Sequence, residues 1–158
     1  MEEIPFKNLS GLDLSNNNIE NIDCLSNLNL PELIILDLSY NKISNINVFS
    51  KVKFHNLERL CLKDNQIKDV NIFSKASFHN LGYLDLRNNL INNINFLNQV
   101  SWTNFSKLFL SYNKINNFDV LLNINLNNQL TIYIDKHQHH KISISIGIPR
   151  NIRLTVAE

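Results

Sequence analysis

Apolar residues along this chain follow a pattern that repeats every 24 residues through five copies. Each copy reads LxxLxLxxNxIxxI, so a block of leucines leads to an asparagine and then to two isoleucines. The aligned columns are Phe6, Leu30, Phe54, Phe78, Trp102 and Leu126; Leu9, Leu33, Leu57, Leu81 and Phe105; Leu12, Leu36, Leu60, Leu84 and Leu108; Leu14, Leu38, Leu62, Leu86 and Leu110; Ile19, Ile43, Ile67, Ile91 and Ile115; and Ile22, Ile46, Val70, Ile94 and Phe118.

Each copy predicts one short strand and one return turn. The leucines of LxL, such as Leu60 and Leu62, are two residues apart and therefore point to the same face of a strand. The later segments, such as VFSKVKF and IFSKASF, space their apolar residues as a short helical or 3₁₀ turn does. One strand and one turn cannot bury an apolar side alone. The copies are therefore predicted to stack, with a parallel sheet on one side, turns on the other, and a core between them.

This repeat resembles that of leucine-rich repeat proteins, over about residues 6–128. The resemblance implies an α/β fold, a right-handed solenoid with a parallel concave sheet and short helical or 3₁₀ convex turns. It also implies a structural role for the asparagine column, because the amide of Asn can pair backbone groups where the chain turns inward. This predicted Asn ladder is Asn17, Asn41, Asn65, Asn89 and Asn113. The few glycines favour the intracellular subclass, and the bacterial surface-protein classes stay open as relatives.

The two ends of the stack need covering, because a terminal copy exposes its apolar side. Residues 129–158 are predicted to do this at the C-terminus. Ile132 and Ile134 continue the leucine columns as a partial sixth strand, and His137 falls where the next ladder Asn belongs. The alternation in KISISIGI and IRLTV then predicts a β-hairpin cap with Ile142, Ile144, Ile146, Ile152, Leu154 and Val156 on one face. Only MEEIP precedes Phe6, so we expect the N-terminal end to contact a partner or a second copy of the chain, or to be masked by this leader.

Composition limits the function classes. The 158 residues are 44% hydrophobic and 18% charged, which predicts one domain with a true core. A net charge of +1 gives no overall field that would attract nucleic acid or an anionic membrane. The acidic N-terminus lacks an apolar signal region, and no apolar stretch is long enough to span a membrane. With two cysteines in unrelated repeat positions, these features predict a cytoplasmic protein.

Groups that could perform chemistry are few. Cys61 points outward between Asp37 and Asp85 of the neighbouring strands, and two carboxylates disfavour a reactive thiolate. The column of Asp13, Asp37 and Asp85 is interpreted as solvated acids rather than a cation site. His137, His139 and His140 are interpreted as part of a polar loop, and Cys24 is expected to be buried in a convex turn. We therefore predict no enzyme, no metal and no cofactor.

The outward positions of the strands are the strongest candidates for function. They combine aromatic and basic side chains, which are common at interface hot spots, and leucine-rich repeat proteins commonly bind through this face. We therefore predict a protein-binding module, a scaffold or adaptor in a larger assembly. A secreted effector that acts on a host protein and, less favoured, a single-stranded RNA binder are the alternatives. The predicted partner-binding residues are Ile35, Tyr40, Arg59, Lys63, Tyr83, Arg87, Lys107, Phe109, Tyr112 and Tyr133.

Overall fold

The computed structural model describes residues 6–124, 128–142 and 149–156. In this part of the chain the strands are β1 (Gly11–Asp13), β2 (Ile35–Asp37), β3 (Arg59–Cys61), β4 (Tyr83–Asp85), β5 (Lys107–Phe109), β6 (Leu130–Ile134) and β7 (Ile152–Val156). Short 3₁₀ helices follow the first five strands, at Asp23–Asn27, Asn47–Ser50, Asn71–Lys75, Asn95–Asn98 and Asp119–Leu122. One helix, α1, spans Lys136–Ile142.

The strands form a single open sheet in chain order, and every pair in it is parallel. From β1 to β6 the partners are 24 residues apart, so Leu36 pairs with Leu12 on one side and with Leu60 on the other, whereas the partners of β6 and β7 are 22 residues apart. This register aligns the leucine columns and buries them against the 3₁₀ helices. The predicted stack, with parallel strands on one side and 3₁₀ turns on the other, is confirmed.

Aromatic side chains fill the core on the 3₁₀ side. The ring of Phe73 lies 6.0 Å from Phe49, 6.4 Å from Phe78, 5.5 Å from Phe96 and 5.9 Å from Trp102. The strands contribute leucines and the return segments contribute these larger rings. Burial of all these apolar groups in one continuous cluster is the main favourable term for stacking.

The Asn ladder satisfies backbone groups between neighbouring copies. Asn65 is representative: its Oδ1 accepts the N–H of Ile43 at 2.9 Å, and its Nδ2 donates to the carbonyls of Leu38, Leu62 and Lys63 at 3.0, 3.2 and 3.3 Å. Asn41 and Asn89 make the same set of contacts one copy earlier and one copy later. Each amide therefore bridges two consecutive copies where their backbones leave the strand.

A second polar column begins the 3₁₀ helices. In each copy a side-chain oxygen accepts the N–H of the residue two positions later, the first residue of the 3₁₀ helix, which is an Asx-turn geometry. The acceptors are Asn21, Asn45, Asp69, Asn93 and Asn117, at 2.6–3.4 Å from the nitrogens. Four asparagines thus have a local role at the start of a turn, which the leucine pattern does not reveal.

The predicted hairpin at the C-terminal end falls only partly on described residues, because residues 143–148, with Ile144 and Ile146, lie outside them. Ile142 ends α1, and Ile152–Val156 forms a strand that pairs with β6 in parallel. A parallel partner lets β7 extend the existing sheet with its register intact. The histidine run, predicted as a loop, lies in α1, where His137, His139 and His140 are exposed.

Gln138 takes over the ladder position that His137 cannot fill. Its buried Nε2 donates to the carbonyl of Leu110 at 3.2 Å, which is the contact the next ladder Asn would make. Its Oε1 accepts the N–H of Asp135 while Asp135 Oδ1 accepts the N–H of Gln138, at 3.2 and 2.9 Å. This reciprocal pair is a capping box, so the first turn of α1 both starts a helix and ends the ladder.

The N-terminal copy is less enclosed than the others. Phe6 is exposed, and Leu9, Leu12 and Leu14 are only partly buried, whereas the equivalent leucines of the next copy are buried. Contact of this end with a partner or a second chain stays a prediction. Within the described ranges, no helix has the length and apolar content to cross a membrane.

Candidate functional site

The sheet face that points away from the core, called the outer sheet face here, presents two rows of side chains. The first row is Ile35, Arg59, Tyr83, Lys107 and Thr131, and the second is Asp37, Cys61, Asp85, Phe109 and Tyr133. Because parallel strands lie about 4.8 Å apart, side chains that share a row are direct neighbours. The structure thus brings the predicted residues of β2 to β6 onto one continuous surface.

Three aromatic rings pack together along this surface. The Phe109 ring centroid lies 4.8 Å from that of Tyr83 and 4.1 Å from that of Tyr133, and the Phe109 and Tyr133 planes are within 3° of parallel. All three side chains are only partly exposed because each ring shields its neighbours. The three rings support one another as one packed surface, called the aromatic floor here, and none of them stands apart from the others.

Two arginines cover this aromatic floor. The guanidinium carbon of Arg59 lies 4.0 Å from the Tyr83 centroid, and that of Arg87 lies 5.1 Å from the Phe109 centroid, both within cation–π range. Arg87 is also clamped by Asp85, to which its Nε donates at 2.9 Å and its Nη2 donates as well. These hydrogen bonds with Asp85 raise the pKa of Arg87 above its ordinary value.

The aspartate column has a backbone role. The carboxylates of Asp13, Asp37 and Asp85 accept the N–H of the residue two positions later, at 2.9, 2.9 and 3.1 Å, which turns the chain at the end of each strand. The interpretation of all three as solvated acids is wrong for Asp85, which is buried under Arg87. Asp13 is exposed and Asp37 is partly exposed.

Cys61 belongs to the outer sheet face but is buried, because the side chain of Arg59 folds over it and donates from Nε to its Sγ at 3.4 Å. Burial raises the pKa of the Cys61 thiol, the hydrogen bond from Arg59 partly opposes this, and Asp37 and Asp85 add to it. The expectation for Cys24 is wrong: this thiol is exposed. In its 3₁₀ helix Ile22 and Leu25 face the core, and Cys24 lies between them on the outside.

Just beyond the strands, at the carboxyl edge of the sheet, one residue per copy has a left-handed backbone. These residues are Asn16, Tyr40, Asp64, Asn88 and Tyr112, with φ between 52° and 61°. Asn and Asp tolerate this conformation, whereas Tyr is disfavoured there. Tyr40 and Tyr112 are nevertheless 46% and 60% exposed. Lys63 lies 4.8 Å from the Tyr40 ring and donates a hydrogen bond to its hydroxyl.

Apart from Phe6, the other exposed large apolar side chains among the described residues are Ile34 and Ile35, at the start of β2. Lys107 on β5 is also exposed. Among the described residues, no three His, Cys, Asp or Glu side chains gather as a metal site would require.

Comparison with known protein families identifies the family to which this repeat belongs. A model of the leucine-rich repeat matches residues 7–67, and a second model, of two leucine-rich repeat copies, matches residues 55–99. The chain belongs to the leucine-rich repeat family. Leucine-rich repeat proteins are in general noncatalytic interaction modules, and this family membership supports a protein-interaction module here. No curated protein sequence matches the chain significantly.

Solved leucine-rich repeat structures are similar to this chain. Internalin C2 of Listeria monocytogenes is 28% identical over 77% of the chain, with a TM-score of 0.61. A leucine-rich repeat protein of Leptospira interrogans is 22% identical over 94%, with a TM-score of 0.60, and internalin inlF of L. monocytogenes is 18% identical over 83%, with a TM-score of 0.57. The chain spans 54%, 31% and 44% of these proteins, respectively. The latter two show the shared fold alone, and the intracellular subclass stays a prediction.

Proposed function

We propose that this leucine-rich repeat chain binds a partner protein through its outer sheet face. The observation that carries this proposal is the pair Tyr40 and Tyr112. Each occupies a left-handed backbone position that disfavours tyrosine, and each exposes a large aromatic side chain to solvent. Neither fold stability nor solubility favours tyrosine there, and backbone strain of this kind concentrates at functional sites.

The other predicted residues fall into two groups, those that contact the partner protein and those that hold the contact residues in place. Ile35, Arg59 and Lys107 are exposed and join the two tyrosines as contact residues. The packed rings of Tyr83, Phe109 and Tyr133, with Lys63 and Arg87 held by intramolecular contacts, support them. A supported surface loses little side-chain entropy on binding, which favours affinity.

We propose further that the module acts as a scaffold or adaptor in the cytoplasm. The exposed free thiol of Cys24 suits a reducing compartment. The alternative, a secreted effector that binds a host protein, uses the same surface and differs in location. Fractionation of the native cells and their medium separates the two roles: protein found in the medium contradicts the cytoplasmic proposal.

Protein binding is favoured over single-stranded RNA binding by the charges of the outer sheet face. Arg87 is paired with Asp85 and Lys63 lies 3.4 Å from Asp64, so two of the basic groups are already neutralised. A steep fall in partner affinity with rising salt, together with loss of the partner after ribonuclease treatment, would favour RNA instead.

The experiment is affinity capture from the native extract with the wild type, a Tyr40→Asn, Tyr112→Asn variant, and a Lys51→Ala, Lys75→Ala control on the 3₁₀ side. Asn suits the left-handed backbone, so the first variant should remain folded, which circular dichroism checks. We expect partners to be lost only with the tyrosine variant. Partners retained by it but lost by the control would contradict the outer sheet face as the site.

A further inference from the structure

We infer that a depression beside Tyr83 on the outer sheet face receives an acidic side chain, Asp or Glu, of the partner protein. This inference rests on the proposed function and adds the chemistry of the partner. The depression has a volume of about 450 Å³ and opens at the amino end of β4, between Arg59 on β3 and Lys107 on β5.

The depression exists because Gly82 has no side chain. In the same column the preceding strand carries Glu58 and the following strand carries Ser106, both exposed. A Cβ on Gly82 would lie 3.2 Å from the carbonyl oxygen of Asn104, so a larger residue would crowd the neighbouring copy and fill the opening. The Ser106 hydroxyl donates to the Gly82 carbonyl at 3.1 Å, which fixes this wall.

The basic residues of the face differ in whether a carboxylate already pairs with them. Arg87 and Lys63 contact Asp85 and Asp64, respectively. For Arg59 and Lys107, no carboxylate of the described chain lies within ion-pair distance. The unpaired cations are therefore the two that border the depression.

Arg59 is held in place before any ligand arrives. Its Nε donates to Cys61 Sγ and its guanidinium lies over the Tyr83 ring, whereas its terminal NH₂ groups have no hydrogen-bond partner in the described chain. A guanidinium with two open donors matches a carboxylate in a bidentate arrangement. Because the side chain is already ordered, binding costs less rotamer entropy.

Lys107 supplies the second cation. Arg59, Tyr83 and Lys107 are partners across β3, β4 and β5, so the two cations stand on either side of Tyr83, about 10 Å apart at the backbone. Long side chains from that spacing can converge on one carboxylate above the ring. Glu58 is the opposing group, and two cations against this one anion leave the depression with a net charge of +1.

Ile35 on β2 pairs with Arg59 on β3, and its side chain is exposed. This side chain indicates which kind of residue of the partner protein lies next to the acid. An apolar side chain of the partner would bury Ile35 while its neighbouring acid enters the depression. We therefore assign the ligand as an acidic residue beside an apolar residue on the partner protein.

The test is an NMR titration of the ¹⁵N-labelled chain with acetyl-Ala-Leu-Glu-Leu-Ala-amide and with the same peptide carrying Gln in place of Glu. We expect the Glu peptide to shift the amide resonances of Gly82, Tyr83 and Lys107 and to bind at least about threefold more tightly than the Gln peptide. Lys107→Gln should weaken binding of the Glu peptide about two- to fivefold, and Glu58→Gln should strengthen it about twofold. Lys75→Gln, on the 3₁₀ side of the molecule, is the matched control and should leave it unchanged.

Several outcomes would overturn the inference: equal affinity for the Glu and Gln peptides, no shift near Gly82 with about 10 mM Glu peptide, or equal weakening by Lys75→Gln and Lys107→Gln. Tighter binding of an oligouridine probe at the same amides would reassign the depression to nucleic acid. If the tyrosine variant of the capture experiment loses its partner while these titrations fail, the outer sheet face binds protein without an acidic subsite. If the tyrosine variant also keeps its partner, the proposed function itself fails.

Discussion

Replacement of Asn65 by alanine should destabilise the fold far more than the same change at Asn17, although both residues occupy the same column of the repeat. Asn65 is buried between two copies, and its amide makes four hydrogen bonds. Asn17 is exposed, and its amide donates only to the nearby carbonyls of Leu14 and Ser15. The sequence treats these two asparagines as equivalent, and the structure separates them.

The size of the effect follows from which groups lose every partner. Without Asn65, the carbonyl of Leu38 still accepts from Asn41, and that of Leu62 still accepts from Asn89. The buried N–H of Ile43 loses its only acceptor. An orphaned buried donor costs about 1–3 kcal/mol, and each lost hydrogen bond costs a further 0.5–1.5 kcal/mol, roughly. The three carbonyls each keep another donor, so their lost bonds count at the low end, about 0.7 kcal/mol each and about 2 kcal/mol together. The total is about 3–5 kcal/mol for Asn65→Ala, against less than about 1 kcal/mol for Asn17→Ala, where water replaces the amide.

Urea unfolding followed by circular dichroism measures the difference. With a slope of about 2 kcal/mol/M, the unfolding midpoint should fall by about 1.5–2.5 M for Asn65→Ala and by less than about 0.5 M for Asn17→Ala. A loss of similar size at both positions, or a loss below about 1 kcal/mol at Asn65, would refute the assignment of the ladder bonds as a major stabilising contact.

Four further predictions test other parts of the molecule. Gln138→Leu should cost about 1–3 kcal/mol in urea unfolding, because the Asp135 N–H loses its side-chain acceptor, and an unchanged midpoint would contradict the capping box. Tyr112→Asn should keep or raise stability by up to about 1 kcal/mol, since Asn suits the left-handed backbone, and a clear loss would show a hidden packing role. Iodoacetamide should modify Cys24 at least about tenfold faster than Cys61, as read by peptide mass spectrometry. Burial raises the pKa of the Cys61 thiol in the folded state. The neutral thiol therefore contributes stability at pH values below the ordinary thiol pKa, and this stability is lost as the pH rises through the folded-state pKa. Cys61→Ala should reduce that loss.

The repeat pattern in the sequence is sufficient to predict most of the fold. A 24-residue period with leucines two apart requires a strand in every copy, and the apolar return segments require a turn that packs on it. The resulting register, in which Leu36 lies between Leu12 and Leu60, follows from this period because residues 24 apart occupy equivalent positions in neighbouring copies. The end of the stack was less predictable, because there each residue has a neighbour on one side only. Alternating apolar residues predicted a hairpin, whose first strand lies largely outside the described residues, and they did not indicate that Ile152–Val156 extends the sheet as the parallel partner of β6.

The candidate site likewise has features that the sequence predicts and features that only the structure shows. Alternation along each strand indicated which residues face outward, because side chains of a strand alternate between its faces. It could not indicate exposure, which depends on how side chains fold over one another: Arg59 covers Cys61 and Arg87 covers Asp85 within one copy, and the ring of Phe109 on the next strand shields Tyr83. The sequence by itself therefore determined the stack and the composition of its outer sheet face. Only the tertiary structure decided which cations of that face are unpaired, because pairing depends on the conformation of each side chain, and where an opening lies beside them, because its lining comes from three neighbouring strands.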